Sequence, residues 1–169
     1  MLAVLFFNEL LNSIASNQSQ TAPTNIFIAK HPQQELQEAD ILSNRSKDWF
    51  SQAERDLEQA NDSRLAGRHE WACFAAHQAA EKAVKALHLS LGQEAWGHVV
   101  ARLLKELPLV VPEDLMERAR VLDSFYIPTR YPNSHPEGPP FEHYGKLQSD
   151  EAIIYASSII EFVRSEMAR

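Results

Sequence analysis

Two residues in this sequence, Arg130 and His135, have side chains that could act on a phosphodiester. An arginine fork can hold a phosphate bidentately and stabilise the charge of a phosphorane-like transition state. A histidine titrates near neutrality and can take a proton from a ribose 2′-hydroxyl. Together they would suffice for RNA cleavage without a metal, with Tyr131 and Asn133 positioning the phosphate. On a regular helix five residues turn roughly 500°, leaving the two side chains about 140° apart. Only a bent chain lets them converge. The competing reading is structural: Arg130 pairs with Asp123 or Glu137, and His135 satisfies backbone carbonyls of its own loop.

The stretch around the pair is bent. From Ser124 to Lys146 it reads SFYIPTRYPNSHPEGPPFEHYGK, with five of the nine prolines between Pro128 and Pro140. That density excludes a regular helix. Phe125, Tyr126, Ile127, Tyr131, Phe141 and Tyr144, with His143, also set it apart from a polar linker. A stiff, aromatic loop of this kind is expected to be packed in place.

The elements that must position the loop read as helices. A first helix is expected from Lys47 to Ala66, capped by Ser46 and stopped by Gly67. Trp49, Ala53, Leu57, Ala60 and Leu65 form its apolar stripe. A second is expected from His69 to Leu91, stopped by Gly92. Its buried side is read as Trp71, Phe74, Ala75, Gln78, Ala79, Ala83, Ala86 and Leu87. A short third helix spans Val99 to Leu107, and a fourth runs from about Pro112 to a point before Pro128. The last runs from Asp150 to Ser165 behind a Ser149 cap, burying Ile153, Ala156, Ile159, Ile160 and Val163. Few segments alternate like strands. The expected fold is all-α, a four- to five-helix up-and-down bundle with the Pro-rich aromatic loop before its last helix.

The other reactive residues carry weaker arguments. His77 and Glu81, four apart on the second helix, lack the further carboxylates and Glu-x-x-His pairs of a di-metal bundle site, so no metal and no cofactor is expected. Glu81, Lys82 and Lys85 read as surface or interface ion pairs. Trp71 and Phe74 read as core or dimer seam before base-stacking platform. His98 is expected to cap the third helix, and Cys73 to be a small buried residue.

Composition narrows the classes. With 16 basic and 23 acidic residues the net charge is −7, which disfavours generic coating of a nucleic acid but leaves a local RNA site open. One cysteine excludes an intrachain disulfide and a Cys-rich zinc site. The longest apolar run, Leu2 to Phe7, is far short of the ~20 residues that span a bilayer. It also lacks a basic flank before it, unlike a secretory signal. A cytoplasmic protein with no membrane partner is expected. Residues 1–42 are rich in Asn, Gln, Ser and Thr and read as a flexible or mis-assigned extension; residues 43–169 form the domain.

Within that domain, residues 46–164 resemble the HEPN family (higher eukaryotes and prokaryotes nucleotide-binding). The likeness is carried by Trp49-Phe50, Ala53, Asp56-Leu57 and Ala60. It continues through Ala72-Cys-Phe-Ala-Ala-His-Gln-Ala-Ala-Glu-Lys-Ala-Val-Lys-Ala-Leu87, Gly97-His98, Leu122-Asp123 and Tyr126-Ile-Pro-Thr-Arg-Tyr-Pro-Asn133. The resemblance implies a helical bundle that forms a homodimer. It also implies a minimal nucleotidyltransferase as partner, in a toxin–antitoxin-like pair. Several relatives are metal-independent ribonucleases marked by Arg, four to six residues, then His, a spacing that Arg130 and His135 meet. Glu137 stands where nuclease relatives of the pair type carry a tyrosine that accepts AMP, so that control is not expected here. Three functions follow: a subunit that binds nucleotide or RNA phosphate through Arg130, an endoribonuclease using Arg130 and His135, or a structural dimer whose loop only packs.

Overall fold

In the computed structural model the backbone is described for residues 32–169 and the side chains for residues 45–169. Five helices account for most of these residues: α1 (Pro32–Leu65), α2 (His69–Ser90), α3 (Val100–Lys105), α4 (Glu113–Asp123) and α5 (Lys146–Met167). Short 3₁₀ turns at Pro132–Ser134 and Pro140–Glu142 punctuate the loop between α4 and α5. No strand occurs among the described residues.

Helix α1 begins at Pro32, well ahead of the expected Lys47. A first-turn proline needs no N–H partner, and Gln33-Gln-Glu-Leu-Gln-Glu-Ala39 is built of good helix formers. Polar composition alone made that run look like a lead-in. As far as residue 31, the extension read over 1–42 lies outside the described residues. Ser46 is consequently no cap; it sits inside α1 and is buried. At the other end Gly67, at φ 72°, takes the left-handed position that ends the helix, and Arg68 N–H returns to the Ser63 carbonyl at 2.9 Å.

Helix α2 is the centre of the bundle and packs against α1, α3, α4 and α5. It is buried on nearly every side, by Ala72, Cys73, Ala76, Ala79, Ala80, Ala83, Val84, Ala86 and Leu87. Alanines let the neighbouring backbones approach closely. Leu103, Leu104, Leu122, Ile159, Ile160 and Val163 complete the core from the other helices. The face containing Trp71, Phe74, Ala75 and Gln78, expected inside, is only partly covered: Trp71 is 49% exposed and the other three are partly buried. Burial pushes the Cys73 thiol up to about 12 from 9.0, with Glu70 adding to the effect. Almost no thiolate then exists at pH 8, and Ellman's reagent is expected to leave the native protein unmodified while titrating one thiol in urea. Fast native labelling would contradict the burial. Above about pH 9 the unfolded thiol ionises and the folded one does not, so native stability falls with rising pH there.

Two caps differ from expectation. Helix α3 is capped by Asp123, not His98: its Oδ1 and Oδ2 accept the N–H groups of Val100 and Ala101 at 2.6 and 3.0 Å. Helix α5 starts at Lys146, and Gln148 Oε1 accepts the Gly145 N–H at 3.0 Å. Ser149 lies in the first turn, fully buried, where it donates to the Lys146 carbonyl and accepts from His69 Nδ1 at 2.9 Å. Gln148→Ala is expected to cost about 0.5–1 kcal/mol, read as a lower urea midpoint. An unchanged midpoint would show that the cap is not stabilising.

Candidate functional site

Arg130 is fixed by short-range backbone geometry. After α4 ends at Asp123, the chain tightens through bonds from Phe125 N–H to the Leu122 carbonyl, Tyr126 to Asp123, and Arg130 to Ile127. Pro128 prevents the helix from continuing. Thr129, buried, donates Oγ1 to the Phe125 carbonyl. This turns Arg130 back onto α2.

Its guanidinium lies 4.4 Å from the centre of the Phe74 ring, 4.7 Å from Tyr126 and 5.1 Å from Tyr131. Nε–H donates to the Tyr126 carbonyl at 2.9 Å. These contacts hold the plane of the fork and leave its two terminal nitrogens to other acceptors. No carboxylate pairs with Arg130 among the described residues. Neither expected partner neutralises it: Asp123 is committed to α3, and the Glu137 carboxylate makes no ion pair among the described residues.

The rings that hold Arg130 are themselves supported. Phe74 meets Trp71 edge-on at 6.0 Å and stacks with Tyr126 at 6.3 Å. Tyr126 also stacks on His98 at 5.0 Å and meets His77 at 4.9 Å. His98 Nδ1 lies 3.1 Å from Glu81 Oε1, which Lys85 also reaches at 2.9 Å. The expected ion pair of Glu81 with Lys85 thus forms, and in this chain Glu81 is buried rather than at the surface. His77 is fully buried; its Nε2 lies 3.4 Å from Asp123 Oδ1 and makes no hydrogen bond. His77 and Glu81 share the Gln78 amide, whose Nε2 lies 3.3 Å from His77 Nδ1 and donates to Glu81 Oε2 at 3.2 Å. Among the described residues, no three His, Cys, Asp or Glu side chains come together as a metal site.

His135 belongs to a different cluster. Its Nε2–H donates to the Pro128 carbonyl at 2.7 Å, and its ring lies parallel to His143, 4.0 Å away. His143 donates to the Glu137 carbonyl at 2.6 Å, and Tyr144 meets His135 edge-on at 6.0 Å. Tyr144 reaches the core through Phe125. The stacked pair clasps the proline loop, as the structural reading of His135 expected. The fold thus places Arg130 against α2 and His135 in the loop's own interior. Tyr131 stays beside Arg130, half exposed, while Asn133 lies exposed in the first 3₁₀ turn.

The sequence reading missed Phe74 and Tyr126 as supports of Arg130. One signal was available: Tyr126 precedes Arg130 by four residues, the reach of one turn. Nothing in the spacing points to Phe74, which comes from another helix.

Comparison with solved structures agrees with this architecture. TT1696 from Thermus thermophilus is 52% identical, over 73% of this chain and 98% of that one, with a TM-score of 0.72. ST0689, an archaeal HEPN homologue, is 41% identical over 73% and 98%, with a TM-score of 0.65. A HEPN domain protein from Thermotoga maritima, tm0613, is 36% identical over 72% and 98%, with a TM-score of 0.60. No curated protein matches the chain. The HEPN domain model matches residues 46–166, from the buried Ser46 of α1 almost to the end of α5. The chain belongs to the HEPN domain family.

Proposed function

We propose that this HEPN protein is a dimeric binding subunit that takes the phosphate of a nucleotide or RNA on Arg130. It would work beside a minimal nucleotidyltransferase in a toxin–antitoxin-like pair, in the cytoplasm. One observation carries the reading: Arg130 is a cation fixed against aromatic rings, with no carboxylate to neutralise it among the described residues and only its Nε–H engaged in a hydrogen bond. A preorganised guanidinium loses little entropy on taking an anion. Family membership supports the dimer and the nucleotidyltransferase.

The test is titration of the purified protein with a short single-stranded RNA and with AMP, in EDTA. Specific binding that Arg130→Ala abolishes supports the proposal; its absence in a folded wild type sinks it. His135→Ala separates binding from cleavage. With Nε2 committed to the Pro128 carbonyl, His135 is expected to matter to loop order and to leave RNA affinity within about twofold. A metal-independent nuclease would instead cleave in EDTA and lose cleavage in both variants. Coexpression with a nucleotidyltransferase encoded beside it, followed by size-exclusion chromatography, tests the partnership; separate elution would remove it.

A further inference from the structure

A groove of about 410 Å³ runs between α1 and α2. Its wall on α2 is a single helical stripe, Trp71, Phe74, Ala75, Gln78 and Lys82. Asp56, Gln59 and Ser63 face it from α1, and Arg68 closes the end at the interhelical turn. Its volume falls within the range of small-ligand sites.

Three features give it a chemistry. Trp71 is 49% exposed, although its position on the central helix would allow it to be buried. It meets Phe74 at a near-perpendicular angle, and about half of its surface is open to solvent. Phe74 is shared: it lines the groove and also carries the Arg130 guanidinium at 4.4 Å. The charges are unequal. Lys82 is paired with Asp56, while Arg68 has no ion pair among the described residues. The groove is thus an aromatic wall with one unpaired cation at its end and a second across Phe74.

We infer that the groove is a subsite for an unpaired nucleobase, stacked on Trp71, belonging to the nucleotide or strand whose phosphate Arg130 takes. The inference rests on the proposed function and adds the base to it. Stacking is sequence-tolerant, because every base has a π-face. Arg68 is placed to meet a neighbouring phosphate. Gln59 and Gln78 also line the groove; their amide nitrogens are engaged with Ser63 and with His77 and Glu81, which leaves their carbonyl oxygens as acceptors for a base edge.

The experiment uses the full chain and two probes of equal length and charge, an adenosine hexanucleotide and its abasic counterpart. Wild type is expected to bind the adenylate about tenfold or more tightly than the abasic strand. Trp71→Ala should erase that preference while keeping the abasic affinity. Arg130→Ala should weaken both strands. An unchanged melting temperature of Trp71→Ala shows that it folds, and Trp71→Phe should keep part of the preference. AMP that competes at similar concentration identifies a free nucleotide as the source; competition only by strands identifies RNA. If wild type binds both strands equally, or if Trp71→Ala keeps the preference, the base subsite is overturned while the Arg130 reading stands. The groove would then fit a protein partner. Failure of folded wild type to bind either strand overturns both.

Discussion

Replacing Arg130 by alanine is expected to weaken binding of a short single-stranded RNA about a hundredfold while the bundle stays folded. The fork offers two charge-assisted hydrogen bonds, each worth roughly 1.5–3 kcal/mol. The lower end of their sum, about 3 kcal/mol, is a factor a little over a hundred. The folded state loses a comparable amount, about 1.5–3 kcal/mol, which a domain of this size tolerates. The three ring contacts contribute about 0.5–1 kcal/mol each at this partly buried position, and the Nε bond is local. Arg130→Lys keeps the charge but not the planar fork, so it should recover at most about tenfold. The slope of log affinity against log salt should also fall by about one in Arg130→Ala. Filter binding at several salt concentrations, with circular dichroism on each variant, reads all of this. An Arg130→Ala protein that binds as tightly as wild type would remove Arg130 from the site.

Asp123→Ala should be the most destabilising single change near the site, by about 2–3 kcal/mol. Its two carboxylate oxygens accept both leading N–H groups of α3 from a different helix. An ordinary cap is worth about 0.5–2 kcal/mol. Here the capping group also joins α4 to α3, and its loss leaves the buried His77 imidazole facing an empty space. Helix α3 has only six residues and no side-chain cap of its own. For a domain of this size the melting temperature should drop by about 5–10 °C. Asp123→Asn keeps an acceptor oxygen and should lose about half as much. Because Tyr126 follows Asp123 closely in the tightened turn, Asp123→Ala should also lower RNA affinity, by less than Arg130→Ala does. A melting temperature unchanged in Asp123→Ala would show that α3 is held by apolar packing alone.

The sequence and structure diverge for reasons that particular residues make plain. The long helices were legible because alanines, leucines and closing glycines repeat at helical spacing; Gly67 stops α1 where expected. The start of α1 at Pro32 was not, since a polar helix and a polar tail share a composition. Helix α2 was assigned one buried side, yet α1, α3, α4 and α5 surround it. Periodicity locates a stripe but not how many neighbours cover the rest of the helix. Trp71 therefore read as core or dimer seam, and Glu81 as a member of a surface or interface ion pair.

The sequence by itself determined that the chain is helical and that the loop before its last helix is proline-stiffened and aromatic, and it singled out Arg130 and His135 as candidates for a phosphate site. These are local properties: helix propensity, the fixed φ of proline, and side-chain chemistry are all carried within a few residues. The tertiary structure decided which of those groups meet. Phe74 reaches Arg130 from α2, Asp123 reaches Val100 from α4, and His135 turns to His143. Such contacts depend on the packing of helices far apart in the chain. They gave Arg130 an aromatic seat and an open fork, and made His135 part of the clasp that holds the loop.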